Sequence, residues 1–503
     1  MDAWALISVS DKTGLAPLAR YLTGQGLRLL ATSSTARHLS SLGLEVQPVE
    51  ALTGFEEILD GRVKTLHPMI YAGLLASSSA AHQAQRIKLG APDIRVAVVN
   101  LYPFEQRWQE HSGRDQLIEE IDIGGVSLIR AAAKNYSRVA VLVSPAQYEE
   151  FMARPVDDYD IGFRRDLAVE AFRHVAYYDA IIATALSEDR PGTWPDTLVL
   201  AGTRQGSLRY GENPHQSGAF YRTAPPTGLA RAQVLQGKEL SYNNLADADT
   251  AVRLAFDFVD PAAVVVKHQT PCAAAVGQNV EQAYVRAHDA DPISIFGGIV
   301  AVNRELGRSL AERLSSLFLE VVIAPDVTPE ARVVFAKKKN LRVLVVPHQG
   351  VVNFDLKGIW GGFLIQPSDT FVAAPKSWNH VAGPALPEGL EPDLALAWKT
   401  VARAKSNAIV VARDGVTVGV ASGETNRVDA ARHALERAGQ RARGAVMASD
   451  GFFPFDDVMR LAQECGIAAV VQPGGSMRDD ESITVAEQAG VTLLMTGERH
   501  FRH

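Results

Sequence analysis

Residues 4–32 read WALISVSDKTGLAPLARYLTGQGLRLLAT and alternate two apolar runs with an amphipathic segment between them. WALISVS is an uninterrupted apolar run, which is typical of a strand that a parallel sheet buries on both faces. Leu15, Leu18, Ala19 and Leu22 follow at i, i+3, i+4 and i+7, the spacing of one face of a helix. LRLLAT is the next strand. The stretch therefore predicts a strand–helix–strand unit with a right-handed crossover.

The same alternation returns further along the first third of the chain. DIRVAVVNLYPF and RVAVLVS read as further strands, so this part is predicted to be an open α/β sheet. A long amphipathic helix is expected over LAVEAFRHVAYYDAIIATAL, residues 167–186. The polar, proline-containing SEDRPGTWPDT follows it and is typical of a boundary. We therefore predict a first domain over residues 1–195.

Residues 196–503 are too many for one compact unit of ordinary size and contain two similar α/β stretches. The first includes AAVVVKH, ISIFGGIVAV and LRVLVVP, and the second begins at NAIVVARDGVTVGVAS. Asp414-Gly415 is a strong hairpin-turn pair between two apolar runs. Two halves are predicted, roughly over residues 196–365 and 380–503.

Composition limits the class of protein. The 503 residues are 47% hydrophobic and 21% charged, as in an ordinary globular protein, and no run approaches the length of a membrane span. The first residues do not resemble a secretion signal, and two cysteines cannot form a disulfide framework, which favours a cytoplasmic location. The net charge of −7 provides no general field for nucleic acid.

Polar residues gather where the first strands end. Ser10, Asp11 and Lys12 follow the first strand, and Thr32 to Thr35 follow the second. Ligands of open α/β sheets bind beyond the carboxyl ends of the strands, where helix N-termini suit phosphate. Serine and threonine also commonly cap helices, so the residues alone leave both interpretations open.

Several motifs of this part carry a family resemblance. VSDKTGL, DGRVKTLHP, VVNLYPF, IDIGG and AAAKN together resemble the inosine monophosphate (IMP) cyclohydrolase domain, whose fold is similar to that of methylglyoxal synthase. The resemblance implies two sets of residues. Those expected to bind the nucleotide are Ser10, Asp11, Lys12, Thr32, Ser33, Ser34, Thr35, Arg62, Thr65, Asn100 and Ile123. Those expected to serve ring closure are Lys64, Tyr102, Asp122 and Lys134.

Two positions depart from the family pattern. The second loop carries Ser33-Ser34 where the family commonly has a glycine pair, and Tyr136 stands where histidine is usual. A serine at a close-approach position changes the backbone freedom there.

The C-terminal two thirds place a Lys–His pair, Lys267-His268, at the end of the buried run AAVVVKH. A lone histidine at such a place is more often structural. A neighbouring ammonium favours the neutral imidazole, which is the form that acts as a base.

These stretches also resemble a known domain, the formyltransferase domain of the same bifunctional family. The matching motifs are SLRYGENPHQ, VVVKHQTPC, DPISIFGGIVA, WGGFLIQPSD, WKTVARAKSNAIVVARDG, SDGFFPF, QPGGSMRD and TGERHFRH. The resemblance implies Lys267 and His268 as the catalytic pair. It implies nucleotide contacts at Arg209, Tyr210, Asn407 and Arg427, and folate contacts at Phe452, Asp457, Ser476, Met477 and Arg499.

The resemblance also implies the architecture and the chemistry. The C-terminal part is expected to be a duplicated cytidine deaminase-like fold, and P-C-x-x-C, the motif of the deaminase zinc site, is absent from the sequence. The implied reactions are formylation of aminoimidazole carboxamide ribonucleotide (AICAR) by 10-formyltetrahydrofolate and cyclisation of the product (FAICAR) to IMP. The resemblance implies a homodimer. It implies no metal.

Two other classes of protein share parts of this pattern. One is a methylglyoxal synthase-like lyase fused to a deaminase, and the other is a nucleotide-sensing module. The missing zinc motif disfavours the first, and the candidate catalytic residues of both parts disfavour the second. Walker and dinucleotide fingerprints are absent, which disfavours ATP or NAD chemistry.

Overall fold

The computed structural model describes residues 2–59, 62–110, 113–187, 193–348, 354–370 and 374–503. The chain divides into two compact units, Met1–Gly202 and Thr203–His503. Among the described residues no helix is long and apolar enough to cross a lipid bilayer.

The first unit contains a five-stranded, wholly parallel sheet in the order β3-β2-β1-β4-β5. Its strands are β1 (Ala3–Ser8), β2 (Arg28–Ala31), β3 (Val46–Pro48), β4 (Asp93–Val99) and β5 (Ala140–Leu142). The order reverses between β1 and β4, which makes the gap beyond their carboxyl ends the expected ligand crevice of such a sheet. The predicted open α/β fold is confirmed.

Helices connect and cover these strands. They are α1 (Leu15–Gly24), α2 (Ser33–Ser41), α3 (Val49–Thr53), α4 (Pro68–Leu75), α5 (Ala80–Leu89), α6 (Phe104–Gln109), α7 (Arg114–Glu119), α8 (Gly124–Lys134), α9 (Tyr148–Met152) and α10 (Ile161–Leu186). The helix predicted over 167–186 begins six residues earlier, because the Asp160 side chain accepts a hydrogen bond from the Phe163 N–H and caps the first turn.

The second unit contains a twelve-stranded mixed sheet in the order β16-β21-β20-β19-β17-β18-β10-β9-β11-β12-β13-β8. The strands of its first half are β8 (Gln233–Gln236), β9 (Ala262–Lys267), β10 (Thr270–Val276), β11 (Ile299–Val302), β12 (Val321–Ala324) and β13 (Arg342–Val345). Those of its second half are β16 (Asn379–Ala382), β17 (Ile409–Arg413), β18 (Val416–Ala421), β19 (Val446–Ser449), β20 (Ala469–Gln472) and β21 (Thr492–Met495).

The helices of this unit follow the same duplication. The first half contains α11 (Tyr242–Phe256), α12 (Val280–Ala290), α13 (Arg308–Ser316) and α14 (Pro329–Phe335). The second contains α15 (Glu391–Ala402), α16 (Arg427–Ala438), α17 (Asp457–Glu464) and α18 (Asp479–Ala489). Each half runs edge strand, helix, hairpin, then three helix–strand repeats, so the predicted duplication is visible in the topology.

Two hairpins form separate two-stranded sheets. They pair β6 (Thr203–Leu208) with β7 (Gly218–Arg222) and β14 (Phe354–Ile359) with β15 (Gly362–Pro367).

Both faces of the twelve-stranded sheet are covered by helices, which explains the continuous apolar run AAVVV. Val264 and Val266 pack in the cluster that also contains the fully buried Trp398 of α15, whereas Ala263 and Val265 pack on the other face. Full burial of one such valine contributes about 1.5–3 kcal/mol relative to exposure.

Close contact between α16 and β18 gives a test of this packing. A Cβ atom at Gly419 would overlap the carbonyl oxygen of Ala434. Gly419→Ala is expected to destabilise the second unit by about 1–3 kcal/mol or more, because backbone rather than a flexible side chain must move. Gly358→Ala, where a Cβ meets no atom within 4 Å, is the control in denaturant unfolding. Equal midpoints for both variants would contradict the packing.

Candidate functional site

In the first unit, Asn100 joins the ends of β1 and β4 at the point where the strand order reverses. Its side-chain oxygen accepts hydrogen bonds from the N–H groups of Ser10 (2.6 Å) and Asp11 (3.0 Å), and its Nδ2 donates to the Asp11 carbonyl (2.9 Å). The Lys12 ammonium donates to the Ser10 carbonyl at 3.5 Å. The predicted residues of this loop are therefore brought together, with the Asn100 amide holding the loop's backbone.

The loop Thr32 to Thr35 opens α2 beside this point. The buried Thr35 hydroxyl bonds the backbone of Val9, while Thr32 caps α2 without accepting a side-chain hydrogen bond from its first turn. The Ser33 hydroxyl lies within hydrogen-bond distance of the carboxylates of Glu50 (2.5 Å) and Glu57 (2.7 Å). Ser34 is exposed. The N-terminus of α2 itself offers positive potential that suits an anion, and the Glu50 and Glu57 carboxylates beside Ser33 partly offset it.

A second group of predicted residues forms one cluster, which we call the Lys64 cluster: Lys64, Tyr102 and Asp122. The Lys64 ammonium donates to the Tyr102 hydroxyl at 3.3 Å. Burial raises the pKa of Asp122, and the Gly125 N–H and the Lys64 charge act in the opposite direction. A lysine ammonium, a phenol and a half-buried carboxyl in one cluster can donate protons to a bound substrate and accept protons from it.

Neighbouring atoms lie so close to the two glycines of IDIGG, Gly124 and Gly125, that a side chain at either position would collide with them. A Cβ at Gly125 would lie 2.5 Å from Asp122 Oδ2, and one at Gly124 would lie 2.8 Å from the buried Thr65 hydroxyl. Gly125 N–H donates to Asp122 Oδ1 at 2.7 Å. The pair thus fixes where the Asp122 carboxyl lies.

Tyr178 supports the same segment and was not predicted from the sequence. Its hydroxyl accepts from the Asp122 N–H and donates to the Glu120 carbonyl, both at 2.9 Å. Since Tyr178 lies in the middle of α10, its sequence context gives no sign of this contact.

Three other predicted residues of this unit, Arg62, Ile123 and Lys134, are exposed. Lys134 is exposed at the far end of α8, an eleven-residue helix, and lies about 15 Å along the helix axis from its first residue, Gly124, at 1.5 Å per residue. Arg62 forms an exposed ion pair with Glu119, and the Ile123 side chain is 57% exposed. The structure does not bring Lys134 to the other three candidates.

In the second unit, strand directions gather the predicted residues at one edge of the sheet. β9 runs parallel to β19, β20 and β21, because three antiparallel pairings separate β9 from β17 and a fourth leads to β19. The Lys267–His268 turn and the segments after β19, β20 and β21 therefore share an edge, which we call the β9–β21 edge. β9 and β19 are about 19 Å apart at the usual strand spacing.

The Lys267–His268 pair lies at the tip of the β9–β10 hairpin. His268 and Gln269 form its two-residue turn, with φ of 56° and 60°, and the Lys267 ammonium donates to the Phe296 carbonyl at 2.9 Å. The Asp247 carboxylate of α11 accepts from the N–H groups of His268 (3.2 Å) and Gln269 (2.6 Å). Asp247 was not predicted from the sequence.

Burial raises the pKa of Asp247, while the turn N–H groups and the charges of His268 and Lys405 act to lower it. Lys405 thus also lies near this turn, inside the motif WKTVARAKSN, and was likewise not predicted. The Ser422 hydroxyl lies 3.5 Å from that of Thr270, which continues the polar edge toward β18.

Asn407 and Arg427 are joined in a buried network. The Arg427 guanidinium donates to the Asn407 side-chain oxygen (2.7 Å), to the Ser449 hydroxyl (2.8 Å) and to the fully buried Asp450 carboxylate. The Ala408 N–H donates to the same Asp450 oxygen at 3.0 Å. Arg427 is therefore held in place by groups of the protein before any ligand is present.

The residues predicted to contact folate lie beyond three parallel strands of this edge. Phe452 follows β19, Ser476 and the fully exposed Met477 follow β20, and Arg499 follows β21. Asp457 begins α17, and its carboxylate accepts from the Val458 N–H at 2.8 Å. The Arg499 guanidinium stacks on the Phe501 ring at 4.8 Å, and Arg427 approaches the same ring at 5.8 Å. Phe501 thus lies against Arg427, which is predicted to contact the nucleotide, and against Arg499, which is predicted to contact folate.

Arg209 and Tyr210 follow β6 and approach the start of α11. The Arg209 N–H donates to the Leu240 carbonyl (3.3 Å), and the Tyr242 N–H donates to the Tyr210 carbonyl (3.4 Å). The Arg209 guanidinium lies 5.6 Å from the Tyr210 ring centre.

Within the described ranges, no group of three or more His, Cys, Asp or Glu side chains could hold a metal ion. Burial raises the pKa of Cys272 to about 12, so its thiol stays protonated at neutral pH.

The fold is that of a two-unit α/β protein in which the candidate polar residues of each unit gather at strand ends. Family models match two parts of the chain: an MGS-like domain over residues 14–127 and the AICARFT/IMPCHase bienzyme over residues 132–437. The chain belongs to the AICARFT/IMPCHase bienzyme family.

Relatives match over nearly the whole chain. It is 46% identical to the bifunctional purine biosynthesis protein PurH of Listeria monocytogenes, with 99% of each chain covered. It is 45% identical to the PurH of Listeria welshimeri, again over 99% of each chain. Identity to the PurH of Bacillus cereus is 44% over 100% of both chains.

The buried network around Arg427 generates a stability prediction. Arg427→Met leaves the fully buried Asp450 carboxylate without its cation, so a loss of about 3–5 kcal/mol in unfolding free energy is expected. Arg427→Met/Asp450→Asn should recover most of this loss, because a neutral amide still accepts from Ala408. Denaturant unfolding of the three proteins measures it. Equal stability of the wild type and the single variant would show that the pair is not buried.

Proposed function

We propose that the two activities of this bifunctional enzyme are divided between its two units. The chain is an enzyme of purine biosynthesis that formylates AICAR with 10-formyltetrahydrofolate as co-substrate and cyclises FAICAR to IMP. Cyclisation is assigned to the first unit and formyl transfer to the second. The observation that carries the assignment is the separation of the Lys64 cluster from the Lys267–His268 turn, each in its own unit.

In formyl transfer, the 5-amino group of AICAR attacks the formyl carbon, and tetrahydrofolate leaves with its N10 protonated. The amine is a poor nucleophile because its lone pair is delocalised. His268, at the tip of the turn, removes the amine proton as the C–N bond forms and passes it to N10 of the leaving tetrahydrofolate. Lys267, held by the Phe296 carbonyl, directs its remaining N–H groups at the developing oxyanion.

Predicted binding contacts complete this site. Arg427 and Asn407 are preorganised to meet the nucleotide, with Arg209 and Tyr210 as further contacts. Folate is assigned to the strand ends that carry Phe452, Asp457, Ser476, Met477 and Arg499. Their common edge supports this assignment. The likeness of each half to cytidine deaminase remains a proposal.

In cyclisation, the carboxamide nitrogen of FAICAR attacks the formyl carbon of the same molecule, and water leaves. Holding the two groups in an attack geometry supplies much of the acceleration, about 7–11 kcal/mol in well-oriented systems. Lys64 and Tyr102 donate to the formyl oxygen, and Asp122 orients the attacking amide. The nucleotide phosphate is assigned to the N-terminus of α2 and the Ser10–Lys12 loop. The role implied for Lys134 remains a prediction.

A homodimer is proposed on the exposed apolar hairpin β14–β15. Trp360 at its tip is fully exposed, and Leu356, Phe363 and Leu364 are about half exposed. An isolated two-stranded hairpin with such a surface is marginal in water, which favours burial against a second copy. A cytoplasmic location and an absence of nucleic-acid or membrane partners are proposed from the composition and the net charge of −7.

Two substitutions test the division of activities. His268→Ala is expected to lower formyl transfer by at least about a hundredfold, the usual contribution of a general base. Cyclisation of supplied FAICAR should be unchanged. Separate assays with AICAR plus 10-formyltetrahydrofolate and with FAICAR alone measure the two steps. Loss of both activities in folded protein would overturn the assignment.

Gly125→Ala should give the reverse result. The added methyl group displaces the Asp122 carboxyl and the Leu101 side chain, so cyclisation should fall about tenfold or more while formyl transfer persists. Gly24→Ala, with no atom within 4 Å of the added carbon, is the control in the same unit. Unchanged cyclisation in Gly125→Ala would remove Asp122 from the site.

A further inference from the structure

The turn that carries His268 has an unfavourable sequence for its backbone conformation. His268 and Gln269 both have positive φ, 56° and 60°, in a two-residue hairpin turn. Turns with two positive φ values favour Asn-Gly or Asp-Gly, because other side chains are crowded there. This turn therefore depends on support from elsewhere in the fold.

Asp247 supplies that support from α11. Its two carboxylate oxygens each accept one turn N–H, from His268 at 3.2 Å and from Gln269 at 2.6 Å. Both bonds go to the backbone, so the carboxylate fixes the direction in which the His268 side chain leaves the chain. The α11 helix itself is fixed by a capping box formed by Ser241 and Asn244.

In the second half of the unit an aspartate also holds the corresponding hairpin turn, but that turn has a favourable Asp-Gly sequence. Asp393 of α15 accepts from the N–H groups of Asp414 (2.8 Å) and Gly415 (2.7 Å) in the β17–β18 turn. The sequence separations are 21 and 22 residues in both halves. The two halves therefore hold their turns in the same way, but the turn has the sequence His-Gln in the first half and Asp-Gly in the second.

We propose that Asp247 is a positioning residue for formyl transfer, which holds the strained His268–Gln269 turn so that His268 and Lys267 face the substrate. The inference rests on the proposed function of the second unit. Asp393 accepts the corresponding backbone hydrogen bonds at a turn that carries no candidate catalytic side chain. Asp247 and Asp393 therefore make the same backbone contacts, but only the turn held by Asp247 has a sequence that is unfavourable for its conformation.

Asp247→Asn tests this inference in the full-length enzyme. An amide can accept from one turn N–H but presents its own NH₂ group to the other. The kcat of formyl transfer should fall about tenfold or more, with a smaller change in the KM for AICAR, because the turn misplaces the base. Cyclisation of FAICAR should be unchanged. Asp393→Asn, the matched control, should leave formyl transfer within about twofold of the wild type.

A rescue variant separates positioning from general stability. Asp247→Asn/Gln269→Gly relieves the crowding at one turn position and should recover part of the lost kcat. The inference is overturned if Asp247→Asn keeps the wild-type kcat, if Asp393→Asn loses as much, or if cyclisation is lost too. Absence of rescue by Gln269→Gly would also overturn it. Full formyl transfer in His268→Ala would instead refute the proposed function itself.

Discussion

The antiparallel pairing of β10 with β18 is the contact on which the second unit depends. Ala275 pairs with Val416, the Val276 N–H donates to the Gly415 carbonyl at 2.9 Å, and the Ala274 N–H donates to the Thr417 hydroxyl at 3.0 Å. These bonds join two halves into one sheet. They also set the strand directions that bring the end of β9 to the same edge as the ends of β19, β20 and β21.

Both units fix their candidate reactive groups through backbone constraints. In the first, a glycine pair lets the Asp122 carboxyl and Thr65 approach α8, and Asn100 holds the loop after β1. In the second, Asp247 holds a turn of unfavourable sequence. Each device acts before substrate binds, so the ordering of these groups is part of the folding free energy rather than of the binding step.

The sequence predicted the fold well where periodicity is strong. The run WALISVS, the helix from Leu15 and the Asp414-Gly415 turn all occur as predicted, because local pattern and burial agree there. The start of α10 was missed because its cap, Asp160, lies before the apolar pattern begins. Asp247 and Tyr178 were missed because their contacts are 21 and 56 residues away along the chain and depend on tertiary packing. Lys134 was grouped with Lys64 by motif; α8 places it ten residues along the helix from Gly124, and its role stays a prediction.

The presence of both activities in this enzyme is tested most directly by a single reaction of the wild type with AICAR and 10-formyltetrahydrofolate. Tetrahydrofolate and IMP would be followed together. We expect both to form in equal final amounts, with FAICAR appearing before IMP, because two separate sites act in turn. Tetrahydrofolate release with FAICAR accumulating as the end product would contradict a working site in the first unit. Absence of both products from folded protein would contradict the account as a whole.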